Sequence, residues 1–363
     1  MALHQNKKTS YFSLLLLFLL NSCAGQNAEP KVVSITKIHQ DSISVNAATL
    51  PEFKVDVHDK ESQGNQISGV IRTVFQDSKG NYWFGTQDGL CRKDKNGLFY
   101  FDLKDSNNQG VTVHTIIEDT KGIVWIGYGG GIAKYDGSYF TVFHQKDILL
   151  RTGLWSMTID KKGILWIGTT QGVFTFDGKT LSPFEIPEGK INPSMGISTA
   201  KMVHSIIEDR NGNMWFATNG GVYKFDGTSL KNISEKDGLQ SNFVSTVIES
   251  KMGYFYIAIS KAIYKYDGKT LTNITEKLIK NDDSIGCVYE DKEGTLWFSV
   301  NKREIYNYNT NGFTKVKNKD SDFSPFPFQI YQDLQNRFWF VGFKGAYRLD
   351  NGAFVNVTRD GPW

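Results

Sequence analysis

The chain has 363 residues, 13% of them aromatic, with 35 Gly and 8 Pro. That is enough for one large all-β domain or two small ones, and the mix suits many short strands joined by tight turns. The formal charge is only +3, with no basic block, which argues against nucleic acid as a partner.

Residues 1–22 read as a secretory signal that is not part of the fold. Lys7 and Lys8 form a basic start, and Tyr11 to Leu20 (YFSLLLLFLL) is an apolar run of ten, too short to span a bilayer as a helix. Leu20, Asn21, Ser22 and Cys23 follow in an order that resembles the bacterial lipobox, with Asn where Ala, Ser or Thr is usual. The resemblance implies lipidation of Cys23 as the first residue of the mature protein. The alternative is an ordinary cleaved signal with a chance cysteine. The acyl chains would be the only membrane attachment, each buried methylene contributing roughly 0.8 kcal/mol. Without residues 1–22, 39 basic side chains face 38 acidic ones, so the mature protein is nearly neutral.

Residues 23–50 are then the lipidated cysteine and a polar, flexible tether. Ala24, Gly25 and Gln26 lack the acidic run associated with surface export in related bacteria, which points to an outer-membrane anchor facing the periplasm. Two further cysteines, Cys91 and Cys287, fall in different repeats at different repeat positions. They are expected to be buried thiols and not a disulfide, with no Cys-based metal site.

From residue 51 onward one pattern recurs. Asp77 to Gly85 (DSKGNYWFG) returns at Asp119 (DTKGIVWIG), Asp160 (DKKGILWIG) and Asp209 (DRNGNMWFA). A degraded copy begins at Ser250 (SKMGYFY), and two more begin at Asp291 (DKEGTLW) and Asp333 (DLQNRFW). The spacings are 42, 41, 49, 41, 41 and 42 residues, within the range of propeller blades. Each copy resolves into four strand signals. An apolar stretch such as Val113 to Glu118 precedes the Asp-x-x-Gly turn, where Gly takes a positive φ freely. The Trp strand follows, then a Gly-rich turn and a third strand. Asp-Gly pairs such as Asp136-Gly137 make the last hairpin, a strong hairpin signal. Seven such units over 51–363 predict an all-β fold, a seven-bladed β-propeller of four-stranded antiparallel blades.

A Trp at one fixed position in nearly every blade reads as packing between neighbouring blades. Phe354 to Val357 can supply the outer strand of the seventh blade through a short loop. Phe53 to Val57 is the other candidate for the closing strand.

The repeat, Asp-x-x-Gly-x-x-Trp-[Ile/Phe]-Gly followed by [Lys/Thr]-[Phe/Tyr]-Asp-Gly, resembles the two-component regulator propeller repeat over roughly residues 50–363. Members of that family are usually periplasmic sensor halves of hybrid histidine kinases, many controlling polysaccharide use. The resemblance implies a propeller with a habit of ligand recognition. Those sensors commonly add a second propeller, a β-sandwich, a membrane helix and a kinase. This sequence ends directly after its seventh repeat, so a partner protein carrying the signalling output is expected.

The residue five before each turn Asp reads Arg72, His114, Trp155, His204, Ser245, Gly286 and Phe328. Diversity at one position of a regular repeat suggests that blade packing does not dictate it. Inner strands begin at one end of the channel, so these residues should converge at its mouth. Arg72, His114, Trp155, His204 and Phe328 are the candidate ligand contacts: Arg clamps carboxylate or phosphate, and aromatic faces stack on sugars. The alternative is a solvated rim without a ligand. The extra length between the third and fourth copies falls in Pro183 to Lys201, on the same face. No cofactor is called for, and two His without an acid do not make a metal site.

The leading functional reading is a membrane-anchored binding or sensory propeller for a small molecule, carbohydrate or partner protein. The alternative is a propeller lyase or hydrolase using a channel-mouth His as general base, with Arg72 stabilising an anion. There is no Gly-x-Ser-x-Gly elbow, no His-Glu-x-x-His motif and no carboxylate pair in the set. A third reading is a purely structural scaffold.

Overall fold

A computed structural model describes residues 34–39, 64–144, 153–191, 199–280, 282–319 and 321–363. The signal segment, Cys23 and Phe53 to Val57 lie outside them. The first blade runs outward from the axis through β2 (Ile71–Gln76), β3 (Tyr82–Thr86), β4 (Gly89–Asp94) and β5 (Gly97–Phe101), all antiparallel. The same four-strand order returns at 113–144, 154–184, 203–233, 244–273, 285–315 and 326–357. The molecule is thus a seven-bladed propeller. Among the described residues the only helical turn is a short 3-10 segment, Glu235–Asp237.

Before these lies β1 (Ser34–His39), within the stretch read as a tether. It adds to the outer edge of the second blade, antiparallel to Tyr139–His144.

Six of the seven blades are built on one carboxylate. In the first, Asp77 Oδ1 accepts the backbone N–H of Lys79 and Asn81, and Oδ2 accepts the Trp83 indole N–H at 2.8 Å. The same bond joins Asp119 to Trp125, Asp160 to Trp166, Asp209 to Trp215, Asp291 to Trp297 and Asp333 to Trp339. The turn needs a left-handed residue, met by Gly80 at φ 85° and, in the last blade, by Asn336 at φ 63°. The fifth blade keeps the turn but replaces the bond with a Tyr254–Tyr256 hydroxyl pair. Once fixed, the indole reaches the next blade: Trp83 meets Tyr135, Trp166 meets Phe216, and Trp297 meets Phe338 with ring centroids 4.4 Å apart.

A second inter-blade link comes from the last residue of each inner strand. Glu118 accepts Ser78 N–H, Glu208 accepts Lys161 N–H, and Glu249 accepts Arg210 N–H. Glu290 and Gln332 do the same for Lys251 and Lys292. In the sequence this appears as Glu or Gln immediately before the turn residue, in every copy except Ile159.

The C-terminal strand, Ala353–Val357, forms the outer edge of the seventh blade by pairing with Gly345–Asp350. Among the described residues the first and last blades therefore share no strand. They meet through the links used elsewhere: Leu334 N–H to Gln76 Oε1 at 2.8 Å, and Trp339 against Tyr82 at 5.0 Å. Further bonds run from Tyr82 OH to Asp333, Val74 N–H to Gln329 Oε1, and Lys344 N–H to Gly69 O. Residues 358–363 then fold over the first blade, where Trp363 sits edge-on to Phe84. Cys91 is buried and Cys287 only partly so; both are free thiols. Burial raises both thiols, Cys287 to about 11.

Asp333 is fully buried and accepts from Trp339, Tyr82 and the Arg337 guanidinium. Asp333→Ala strands these donors at the ring seam and should lower stability by about 3 kcal/mol, read by urea denaturation. A loss below 1 kcal/mol would show that the carboxylate is not a keystone.

Candidate functional site

Strand pairing gives the candidate residues a common origin. In every blade the inner strand slips register by one residue against the Trp strand, and the slip falls at the candidate position. Ile71 and Thr73 pair with Thr86 and Gly85, so Arg72 is the extra residue of a β-bulge. His114, Trp155, His204, Ser245 and Phe328 are bulged in the same way, and in the sixth blade Gly286 and Cys287 share the irregularity. A bulge residue leaves the ladder and its side chain is re-aimed. This is why the position tolerates Arg, His, Trp, Ser, Gly and Phe, which a paired core position would not. The single sequence hid the bulge, because the slip exists only between two strands.

The structure brings four of the five candidates into one line. Phe328 lies under Arg72, whose guanidinium carbon is 4.6 Å from the ring centroid. Arg72 is near enough to His114 to disfavour its protonation. His114 contacts Trp155, ring centroids 5.2 Å apart, and Trp155 is 41% exposed despite its size. His204 stands with other partners: Phe243 at 4.9 Å and Asn219, whose Oδ1 is 2.7 Å from Nε2. Phe328 also belongs to an aromatic cluster with Phe326 and Phe343.

Both imidazoles are neutral at pH 7. Burial, then the Arg72 charge, brings His114 down to about 4 from an ordinary 6.5. Burial lowers His204 as well, against the Asn219 bond that raises it. The mouth thus offers one fixed cation, two neutral imidazoles and aromatic faces. Such a set suits a ligand with one acidic group and several hydroxyls. Among the described residues no three His, Cys, Asp or Glu side chains are grouped as a metal site would require.

The connection between the third and fourth blades sits on this face. Pro187 O accepts from Tyr223 OH, Lys190 O from Asn242, and Thr199 O from Asn219. Two adjoining clefts lie instead at the opposite ends of the strands, beside the turns at Asp77 and Asp94. One, of about 360 Å³, is lined by Arg92, Phe99 and Tyr135, and the other, of about 570 Å³, by Lys93, Lys95 and Trp363.

Comparison with known proteins bears on these blades. Residues 65–88, 197–220 and 279–302 match the family model "Two component regulator propeller". The chain carries these repeats. Each matched stretch spans a bulge, an Asp or Asp-type turn and a Trp strand. No curated protein sequence matches the chain.

Among solved structures it is similar to the extracellular domain of the hybrid two component system BT3049 from B. thetaiotaomicron (TM-score 0.65, 22% identity, covering 80% of this chain and 40% of that one). The corresponding domain of BT4673 from the same organism gives 0.61 and 17%, covering 77% and 38%. This chain therefore spans about two fifths of those domains. Virginiamycin B lyase from Staphylococcus aureus is also similar (0.61, 11%), covering 86% of this chain and 97% of that enzyme. At these identities the likeness is one of fold.

Replacing Arg72 with Met removes the nearby charge but not the burial. His114 should then titrate higher than about 4 yet still below 6.5, followed by NMR. An unchanged titration would show that Arg72 does not face the imidazole. A base depressed in the folded state supplies stability that is full above its unfolded value near 6.5 and is lost as pH falls toward the folded value. Wild-type stability should therefore begin to fall below about pH 6.5.

Proposed function

We propose that this chain is a sensory or ligand-binding propeller of the cell envelope. It would recognise a small molecule or glycan fragment at the channel mouth and hand the result to a partner protein. The observation that carries this reading is the ring of bulges. In all seven blades the inner strand slips register at this variable position, at the same end of the strand. The regulator-propeller repeats and the likeness to extracellular domains of two component systems support a sensory role. Arg72 would hold an acidic group and Trp155 would stack on a sugar face.

Acidic and neutral oligosaccharide digests, assayed by calorimetry against wild type, Arg72→Ala and His204→Ala, test it. Each substitution should weaken binding tenfold or more, equivalent to about 1.4 kcal/mol. Unchanged affinity in both variants for a bound compound would remove the mouth from consideration.

The likeness to virginiamycin B lyase, over nearly that enzyme's whole length, supports a second reading. A solved form of that lyase with His replaced by Ala is described as catalytically inactive. A neutral His in this mouth would be able to serve as a general base. Product formation in the same assays, abolished by alanine at His114 or His204, would favour the enzyme over the sensor.

The lipid on Cys23 would hold the propeller at the outer membrane, facing the periplasm. Cys23→Ser should move the protein from the membrane to the soluble fraction of cells. Retention in the membrane fraction would refute the anchor.

A further inference from the structure

Asn219 is almost fully buried on the turn that follows the Trp strand of the fourth blade. Its backbone N–H donates to Met202 O, which pins it beside the start of the inner strand. Its side chain bridges two partners: Nδ2 donates to Thr199 O at 2.8 Å, and Oδ1 lies 2.7 Å from His204 Nε2.

These two contacts determine one another. A peptide carbonyl can only accept, so the amide end at Thr199 must be the NH₂. The end facing His204 is then the carbonyl oxygen, which also only accepts, so Nε2 must carry the hydrogen. In a neutral imidazole the remaining nitrogen, Nδ1, is left as a bare lone pair. Among the described residues Nδ1 makes no hydrogen bond, and the ring packs 4.9 Å from that of Phe243.

The corresponding Asn301 of the sixth blade shows the device in its plain form. Its Oδ1 accepts Ser284 N–H and its Nδ2 donates to Asp283, so both ends secure the incoming loop. In the fourth blade one end still secures the loop, and the other is given to His204. The loop is itself closely seated: a Cβ on Gly189 would stand 2.7 Å from Gly220 O.

We propose that Asn219, held by the connection between the third and fourth blades, is a positioning residue that makes His204 Nδ1 a fixed hydrogen-bond acceptor. A ligand would meet it through a hydroxyl or amide N–H, as a carbohydrate does. The assignment rests on the channel mouth being the binding face.

NMR of the full chain with ¹⁵N-labelled histidine tests the first half without any ligand, so its failure is separable from failure of the binding reading. At pH 7, His204 should show a protonated Nε2 and an unprotonated Nδ1. Asn219→Leu should mix the tautomers. Gly189→Val should do the same by lifting the loop while leaving Asn219 and His204 in place. A protonated Nδ1 in the wild type, or a ratio untouched by either variant, overturns the proposal. Glucose oligosaccharides and their O-methylated forms are the probe for the second half. The hydroxyl forms alone should shift Nδ1. Equal shifts from both, or no shift from either, overturn the donor assignment.

Discussion

The bond between a turn carboxylate and an indole N–H is the constraint on which the rest of the structure depends. It buries a charge that would be unfavourable alone and satisfies it with two backbone N–H groups and one ring N–H. In doing so it fixes the turn, orients the Trp, and delivers the flat face of that Trp to the next blade. Six of the seven blades use it. The fifth shows what happens without it: the backbone turn persists, but the packing passes to a pair of tyrosines.

A rigid outer frame leaves the inner strands free to differ. The bulge separates the two duties, because residues on either side of it keep the ladder while the bulged residue falls outside its register. Thr73 and Ser156 lie against Gly85 and Gly168, where a Cβ would stand 2.6 and 2.3 Å from their side chains. One step earlier, Arg72 and Trp155 are outside that fit. Chemistry can therefore vary at the mouth with little effect on the ring. The regulator-propeller repeats of the chain fit this division between frame and variable rim.

The fold was legible because its determinants are local. Asp, Gly and Trp at fixed offsets fix a turn and a strand within nine residues, and their period counts the blades. The variable inner position was legible for the opposite reason, as the one place where the copies disagree. The bulge was not, since it is a relation between strands. Nor was Asn219, whose equivalents are Gln87, Gly129, Thr170, Ser260, Asn301 and Phe343, so nothing in the pattern marks it. The Glu or Gln before six of the seven turns was visible but merged into the apolar stretch preceding it. β1 escaped because an outermost strand is held by backbone bonds and needs little apolar character.

The seam between the seventh and first blades has a mechanical meaning. Among the described residues the four core strands of every blade come from one contiguous length of chain, with β1 added only at the rim of the second, so no hydrogen-bonded ladder fastens the ends of the ring. Two isolated bridges, Gln66 with Thr358 and Val70 with Phe343, and a set of side-chain bonds hold them. Under tension applied at residues 64 and 363 the ring parts there first, with the segment ending in Trp363 as its latch.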